Sequence, residues 1–340
     1  MAFETGTATD LEDLLAKLST FIQANGWTED ELDTVGGDFA FSKGGIFVSG
    51  RWDTASPSLF SLYQATAFDG TGTLPGDHTG DSGNGYNTDG SHLITNLDNE
   101  RHVDLESNGP YPGYWFFEND SSPAYVHVVV EVATGSYVHF GFGEISKNGQ
   151  WTGGEYCYGF FHASTSTLFT ASSTFVLDGF MNSSSGTDEL RSATMRASGL
   201  PSEPASSVWA VVWGNAGQTL QGLDTAGNGR KFFSGGYRAG PIAESMGNFS
   251  GSAQTGLVPL YPIVIFYGHG NLGSTSEAGF GYQMGRMADV RGVGMRHFAG
   301  GQTIAIGTDT WYLFPAHRRD SGAASGTTGF SGIAYKRVDA

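Results

Sequence analysis

From Phe39 onward, the chain consists of short apolar and aromatic stretches separated by turns rich in Gly, Ser, Asn and Asp. Short stretches that alternate apolar and polar residues are typical of β-strands, and Gly, Asn and Asp supply the positive φ angles of tight turns. Glycine fills 52 of 340 positions, which is about twice its usual share of ~7%. The pattern predicts many short strands.

The clearest hairpin is predicted from Tyr125 to Ile145, in the sequence YVHVVVEVATGSYVHFGFGEI. A two-residue loop at Thr134-Gly135 fixes which residues face each other across the two strands. The predicted pairs are Val129 with Phe140, Glu131 with Val138, His127 with Phe142 and His139 with Val130. The two histidines are therefore not expected to be cross-strand partners.

One amphipathic helix is predicted near the N-terminus. Thr9 and Glu12 fit a capping box, and Asn25-Gly26 fits a C-cap. The apolar stripe consists of Leu11, Leu14, Leu15, Leu18 and Ile22, at helical spacing. We expect the chain's own first β domain to cover this stripe, with a subunit interface as the alternative. The acidic stretch TEDEL, from Thr28 to Leu32, is interpreted as a second, short helix.

Changes in composition divide the chain into four segments. They are a helical element at residues 1–36, a first β domain at 37–186, a linker-like segment at 187–207 and a second β domain at 208–340. The linker-like segment is polar and contains two prolines. No repeat of fixed period occurs. The predicted fold is mainly β, α+β overall, with antiparallel β-sandwich-like subdomains and one N-terminal amphipathic helix.

Charge is distributed unevenly between the two halves. Residues 1–186 carry 24 Asp and Glu against 5 Lys and Arg, whereas residues 187–340 carry 10 against 12. This asymmetry reflects either ordinary surface differences between two domains or acidic and mildly basic faces that meet head-to-tail between copies.

The composition argues against several kinds of partner. A net charge of −17 disfavours nucleic acid binding through a broad basic surface. The longest apolar stretch, Leu257 to Gly268, is too short to span a bilayer, so no membrane is expected. The N-terminus has no secretory signal pattern, which predicts a protein made and folded in a cytoplasm. Cys157 is the only cysteine, and its aromatic neighbours indicate a buried, inert thiol.

No pattern predicts a cofactor or a metal. The stretch from residue 70 to 92 mixes Gly, Asp and Asn but lacks the spacing of an EF-hand. Asp77, His78 and Asp81 could converge on an ion there, although turn formation explains the same residues. The sequence Gly268-His269-Gly270 follows an apolar stretch and has two interpretations, a catalytic loop or a turn at the end of a strand. The turn is the favoured one.

Candidate catalytic and glycan-binding residues are weakly marked. Glu118, Glu131, Glu144 and Glu155 are the carboxylates that a glycosidase pair would use, and none is assigned a catalytic role. Aromatic residues between Pro110 and Asp120 either stack on sugar rings or pack beneath the neighbouring loop.

Arginine residues near the C-terminus are candidates for a protein interface, because a guanidinium binds carboxylates in a bidentate manner. Arg286, Arg291 and Arg296, which lie five residues apart, are interpreted as loop or edge-strand residues rather than as a helical basic face. The complete set of interface candidates is Leu11, Leu14, Leu18, Ile22, Arg286, Arg291, Arg296, Arg318 and Arg319.

Three segments resemble virion structural proteins of tailed bacteriophages. The first begins at Phe3 and ends at Trp27, the second is HFGFGEISKNGQWTGGEYCYG from His139 to Gly159, and the third is WYLFPAHRRD from Trp311 to Asp320. In the first segment the matching residues are Phe3, Thr5, Gly6, Thr9, Asp10, Asp13, Leu14, Leu15, Lys17, Leu18, Gly26 and Trp27.

This resemblance implies a component of the tail, baseplate or neck of a virion, assembled in the host cytoplasm, with no enzymatic activity and no cofactor. The implied partners are other virion proteins and copies of the chain itself, in a ring or another symmetric assembly. The alternative function is a carbohydrate-binding or polysaccharide-degrading tail protein that recognises a receptor, which would add a glycan contact.

Overall fold

A computed structural model of the chain describes twelve sets of residues. They are 2–52, 54, 59–68, 101–105, 107–159, 193–198, 208–213, 231–234, 260–268, 281–295, 298–315 and 331–337. Within them the protein is mostly β-strand with a single α-helix near the N-terminus. This confirms the predicted fold class.

The helix lies between the first two strands, and strands alone follow it in the described part of the chain. The elements are β1 Ala2–Ala8, α1 Leu11–Ala24, β2 Thr28–Asp33, β3 Asp38–Lys43, β4 Ile46–Trp52, β5 Leu59–Ala65, β6 Arg101–Asp104, β7 Tyr111–Asn119, β8 Tyr125–Ala133, β9 Ser136–Glu144, β10 Ser146–Lys147, β11 Thr152–Tyr158, β12 Ala193–Ser198, β13 Val208–Trp213, β14 Lys231–Ser234, β15 Tyr261–Gly268, β16 Gly281–Gly294, β17 Gln302–Ile306, β18 Asp309–Pro315 and β19 Ser331–Arg337.

The N-cap of helix α1 is one residue later in the chain than the predicted N-cap, Thr9. Asp10 is the N-cap, with extended backbone angles, and its Oδ1 accepts a hydrogen bond from the Asp13 amide at 2.8 Å. Asp13 in turn accepts from the Thr9 amide at 2.8 Å. The aspartates thus do what Thr9 and Glu12 were expected to do, because a short carboxylate at the cap reaches the third amide of the helix. The predicted C-cap is confirmed at Asn25.

The acidic stretch after the helix is a strand, so the prediction of a second short helix is wrong. Strand β2 pairs antiparallel with β3, and Glu29 on β2 accepts hydrogen bonds from the side chains of Ser19 and Gln23 on α1. Pairing with β3 supplies backbone hydrogen bonds that an isolated five-residue helix does not have.

The strands form two sheets. The larger has 14 strands in the order β1-β7-β8-β9-β11-β12-β13-β14-β15-β16-β19-β18-β17, with β10 paired to β16. The smaller has five strands in the order β2-β3-β4-β5-β6. Among the described strands, pairing is antiparallel except between β13 and β14, which run parallel.

The predicted hairpin is formed by β8 and β9, but its register differs from the prediction. The loop is Thr134-Gly135 as expected, with Ala133 opposite Ser136. Past a shift between Glu131 and Ala133 the register moves by one residue. The observed pairs are Glu131 with Tyr137, Val129 with His139, Val128 with Phe140 and His127 with Gly141. The bulge inserts one unpaired residue, which a sequence pattern does not reveal. The two histidines are not partners, as predicted.

The middle of the molecule is a layer of strands buried on both faces. In β7, β8, β9 and β11, alternate side chains point to opposite sides. Even-numbered residues of β7, β8 and β9, such as Phe116, Val128 and Phe140, pack against α1 and the five-stranded sheet, as does Cys157 of β11. The opposite face, with Phe117 and Val129, packs against strands from the C-terminal part of the chain. The arrangement explains why β8 reads VHVVVEV, a nearly continuous apolar run.

Strands on both sides of the predicted linker contribute to one core. Phe117, Tyr125 and Tyr156 come from the first predicted β domain, and Phe314 and Tyr335 come from the second. The predicted domain boundaries lie largely outside the described residues and stay a prediction. In the described part, the two segments are packed face to face.

Candidate functional site

Between the central layer and the C-terminal strands lies a cluster of polar rings, which we call the His–Tyr network. Its members are His127, His139, Tyr156, Tyr158 and Tyr335. All five side chains are almost completely buried. They come from β8, β9, β11 and β19, so the network joins strands more than 170 residues apart in sequence.

The hydrogen bonds of the network form a continuous chain. Tyr335 Oη lies 3.0 Å from His139 Nδ1 and 3.5 Å from Tyr158 Oη. Tyr158 Oη lies 2.9 Å from His127 Nδ1, and Tyr156 Oη lies 3.3 Å from His127 Nε2. The rings also stack, with the His139 and Tyr335 centroids 5.9 Å apart and 19° between their planes.

The contacts of His139 fix its tautomer. Its Nε2 lies 2.9 Å from the carbonyl oxygen of Pro315, which can only accept, so Nε2 carries the hydrogen. In the neutral ring Nδ1 therefore accepts, and the hydroxyl of Tyr335 donates to it. The ring thus ties β9 to the end of β18 and to β19.

Burial keeps the network neutral. It lowers the pKa of His127 to about 3 and that of His139 to about 4. It also raises the pKa values of Tyr156, Tyr158 and Tyr335 above the ordinary range of a phenol. At neutral pH both imidazoles and the three phenols are uncharged, and the arrangement acts as an internal link between layers.

A second buried polar group lies at the N-terminal side of the central layer. Glu118 Oε1 accepts hydrogen bonds from Trp27 Nε1 at 3.2 Å and from Lys43 Nζ at 3.1 Å. Lys43 also donates to the Asn25 carbonyl at 2.6 Å. Burial raises the pKa of Glu118, while Lys43 acts in the opposite direction. The pair connects the end of α1, strand β3 and strand β7.

The apolar stripe of the helix lies inside the molecule. Leu11, Leu14, Leu18 and Ile22 are at most 1% exposed and pack against strands of the small sheet and the central layer. The first of the two expected coverings, the chain's own β domain, is therefore the one present. None of these four interface candidates lies on the surface.

The described arginine candidates lie on β16. Arg286 is exposed, whereas Arg291 is half-buried, with its guanidinium 5.4 Å from the ring centroid of Trp311. At Arg286 strand β16 lies between β15 and β10, and at Arg291 it lies between β15 and β19, so the interpretation as loop or edge-strand residues is wrong for these two. Arg296, Arg318 and Arg319 lie outside the described residues.

Each candidate carboxylate has its own partner. Glu155 forms a bidentate ion pair with Arg196, Glu144 lies 3.1 Å from Lys147, and Glu131 accepts from the Gly135 amide at 2.8 Å. Glu118 is held by Lys43 and Trp27. These contacts stabilise strand ends and turns.

The aromatic stretch proposed for sugar stacking forms strand β7, between β1 and β8. Tyr111, Tyr114, Phe116 and Phe117 are buried, and Trp115 is half-buried against Phe314, with ring centroids 4.9 Å apart. The rings pack in the two cores, where strands and helix α1 cover them rather than the neighbouring loop.

The remaining predictions concern Cys157, the candidate ion-binding residues and a membrane-spanning segment. Cys157 is buried, as expected. Asp77, His78, Asp81 and His269 lie outside the described residues. Within the described ranges, no group of three or more His, Cys, Asp and Glu is placed to hold a metal ion. Among the described helices, none is long and apolar enough to cross a membrane.

Sequence reasoning missed the His–Tyr network. Its members are far apart in sequence, and only the alternation in YVHVVVEV and SYVHFGF indicates that His127 and His139 share a face with apolar residues. No protein-family model matches the chain, and a search of curated proteins gave no match.

Proposed function

We propose that this chain is a non-enzymatic structural component of a tailed-phage virion, in the tail, baseplate or neck. In this role it assembles through contacts with other virion proteins and with copies of itself. Its site of action is the virion, and assembly takes place in the host cytoplasm.

The observation that carries the proposal is that residues of the phage-like N-terminal segment make packing contacts and hydrogen bonds within the fold. Its residues hold the framework together. Phe3 stacks on Tyr312 with centroids 4.8 Å apart, and Thr5 Oγ1 donates to the Tyr114 carbonyl at 2.8 Å. A side chain at Gly6 would come within 2.7 Å of the Tyr114 hydroxyl. The resemblance therefore rests on residues with architectural contacts.

Other residues of the same segment have equally structural roles. Asp10 and Asp13 cap the helix, and Trp27 binds the buried Glu118. The second phage-like segment forms β9, β10 and β11, and the third begins with β18. The likeness is therefore concentrated in core contacts, as a shared scaffold requires.

The carbohydrate-binding alternative has less support. Its first candidate, the aromatic stretch from Pro110 to Asp120, contributes rings to the cores rather than to an open surface. A polysaccharide-degrading site would need two carboxylates at a set separation with solvent access. Glu118, the most buried of the four candidates, is enclosed with Lys43 and Trp27.

The test is cryo-EM of the intact phage particle that encodes the chain, together with quantitation of its copies by mass spectrometry. We expect density for the chain in rings around the tail axis, in a copy number that matches the rotational symmetry there. Projecting trimers with aromatic tips, or absence of the chain from purified particles, would overturn the proposal. Binding of the purified protein to a glycan array would favour the alternative.

A further inference from the structure

The two sheets end in edge strands of very different character. Strand β17, Gln302–Ile306, is the last strand of the large sheet and is bonded to β18 on one side. It contains no charged residue, and four of its five residues are exposed. Ile306 at its end is 44% exposed. Native proteins usually protect such edges with charged residues or Pro, and β17 has neither.

The outward-facing backbone groups of β17 can be assigned from its hairpin. Ile306 lies opposite Asp309 across the two-residue loop Gly307-Thr308. In such a hairpin the closing pair exchanges backbone hydrogen bonds, and bonded pairs then alternate with non-bonded pairs. The non-bonded positions are Thr303 and Ala305, so their N–H and C=O groups point away from β18. No other strand within the described part of the chain pairs with them.

Strand β2, Thr28–Asp33, is an edge strand of the small sheet and is strongly acidic. Four of its six residues are carboxylates, and five of the six are exposed. The loop that follows it exposes Val35, at 87%. Two β2 strands would place like charges opposite each other, which disfavours their pairing.

The surroundings of the two edges have opposite charge. The described residues between 281 and 337, which include β17, carry four Lys and Arg against two Asp, with Lys336 3.1 Å from Asp309, in a chain with a net charge of −17. Residues 28–43, which include β2, carry five Asp and Glu against one Lys. Lys336 and Arg337 lie on β19, opposite Trp311 and Thr310 of β18. Strand β18 separates them from β17. An uncharged edge in basic surroundings suits an acidic strand.

We propose that the β17 edge of one copy binds strand β2 of a second copy by strand addition. This inference rests on the proposed assembling function and names the surfaces that it uses. The contact joins two different edges, so it is heterologous and repeats from copy to copy. Acidic β2 is repelled by another β2 but not by β17, which gives the assembly a direction.

The first test changes the charge of one exposed edge residue in both directions. Thr303→Glu should weaken self-association of the full chain about two- to fivefold, since it places a carboxylate against acidic β2. Thr303→Lys should strengthen association by a similar factor. Sedimentation velocity over a concentration series measures both. Equal weakening by the two variants would indicate β17–β17 pairing and overturn the proposal.

A reciprocal change identifies the partner strand. Glu31 is exposed on β2, and Glu31→Lys should weaken the association of the wild-type chain while restoring that of Thr303→Glu. Failure of this rescue would contradict β2 as the partner. Higher salt should weaken the wild-type contact, because exposed charges are screened over about 10 Å at 0.1 M.

A backbone variant tests strand addition itself. Ala305→Pro removes an outward N–H without removing a bond to β18, and it should weaken association at least about tenfold. Ala305→Ser keeps the N–H and serves as the matched control. Near-UV circular dichroism verifies that both variants fold. A wild-type chain that stays monomeric, or an Ala305→Pro variant that associates normally, would overturn the inference. Virion incorporation by Ala305→Pro at the normal copy number would leave the proposed function standing.

Discussion

Two buried imidazoles, those of His127 and His139, make the stability of the protein fall as the pH is lowered. His127 has a folded-state pKa of about 3, whereas an unfolded histidine titrates near 6.5. The unfolded chain therefore binds more protons between these values, and stability falls as the pH drops through that window. His139, with a pKa of about 4, acts in the same direction. Above pH ~6.5 both histidines are neutral in the folded and the unfolded chain, so the stability gained by burying them uncharged is fully present there.

We expect His127→Gln to reduce the pH dependence of the unfolding free energy by about 1.4 kcal/mol per pH unit between roughly pH 5.5 and 4.5. Urea unfolding at several pH values measures the slope. Asp38 works against this trend, because burial raises its pKa to about 6 despite Arg51. The comparison is therefore between variant and wild type, and identical slopes would contradict the assignment.

The buried ion pair of Glu118 gives a second prediction at the residue scale. Lys43→Met leaves the carboxylate of Glu118 enclosed without its cation, which should destabilise the protein by about 3 kcal/mol at neutral pH. The double variant Lys43→Met with Glu118→Gln should recover most of that loss. Because the pKa of Glu118 is already raised by burial, the loss should shrink at lower pH. Denaturant unfolding at two pH values tests both statements.

At the scale of elements, the N-cap of α1 distinguishes two neighbouring residues. Asp10→Ala removes the acceptor for the Asp13 amide and should lower stability by about 1 kcal/mol. Thr9→Ala is the matched control, since Thr9 Oγ1 donates to the Asp10 carboxylate at 3.2 Å and also to the Asp13 carboxylate, and its loss leaves the cap acceptor Asp10 in place. It should change stability by about 0.5 kcal/mol or less. A larger effect from Thr9 would restore the capping box read from the sequence.

Elements with strong local signals were predictable, and those that depend on distant partners were not. The stripe from Leu11 to Ile22 and the loop Thr134-Gly135 follow from spacing and turn chemistry alone. Strand β2 was mistaken for a helix because its pairing with β3 decides its conformation. The β8–β9 register depends on a bulge that no residue type announces. The His–Tyr network needs β19, which lies nearly 200 residues from β9.

At the scale of the molecule, the shared core predicts that the described segments unfold together. Tyr335→Phe on β19 removes the donor to His139 Nδ1 and should destabilise the protein by about 1–3 kcal/mol. Hydrogen exchange should then accelerate to the same extent in β8 and in β19. Tyr312→Phe, at a half-buried position on β18, is the control and should have an effect within about 0.5 kcal/mol. Acceleration confined to β19 would indicate two independent folding units.

The phenols of the His–Tyr network allow the separation of the layers to be followed by ultraviolet absorbance, because a tyrosine absorbs differently once it is ionised. Burial raises the pKa values of Tyr156, Tyr158 and Tyr335 far enough that they stay protonated while the layers are packed. After a jump to alkaline pH, exposed tyrosines ionise at once, and these three ionise only when the C-terminal strands leave the central layer. Burial also raises the pKa values of Tyr114 and Tyr125, so the slow phase of phenolate absorbance that Tyr156→Phe, Tyr158→Phe or Tyr335→Phe removes is the part that measures this opening.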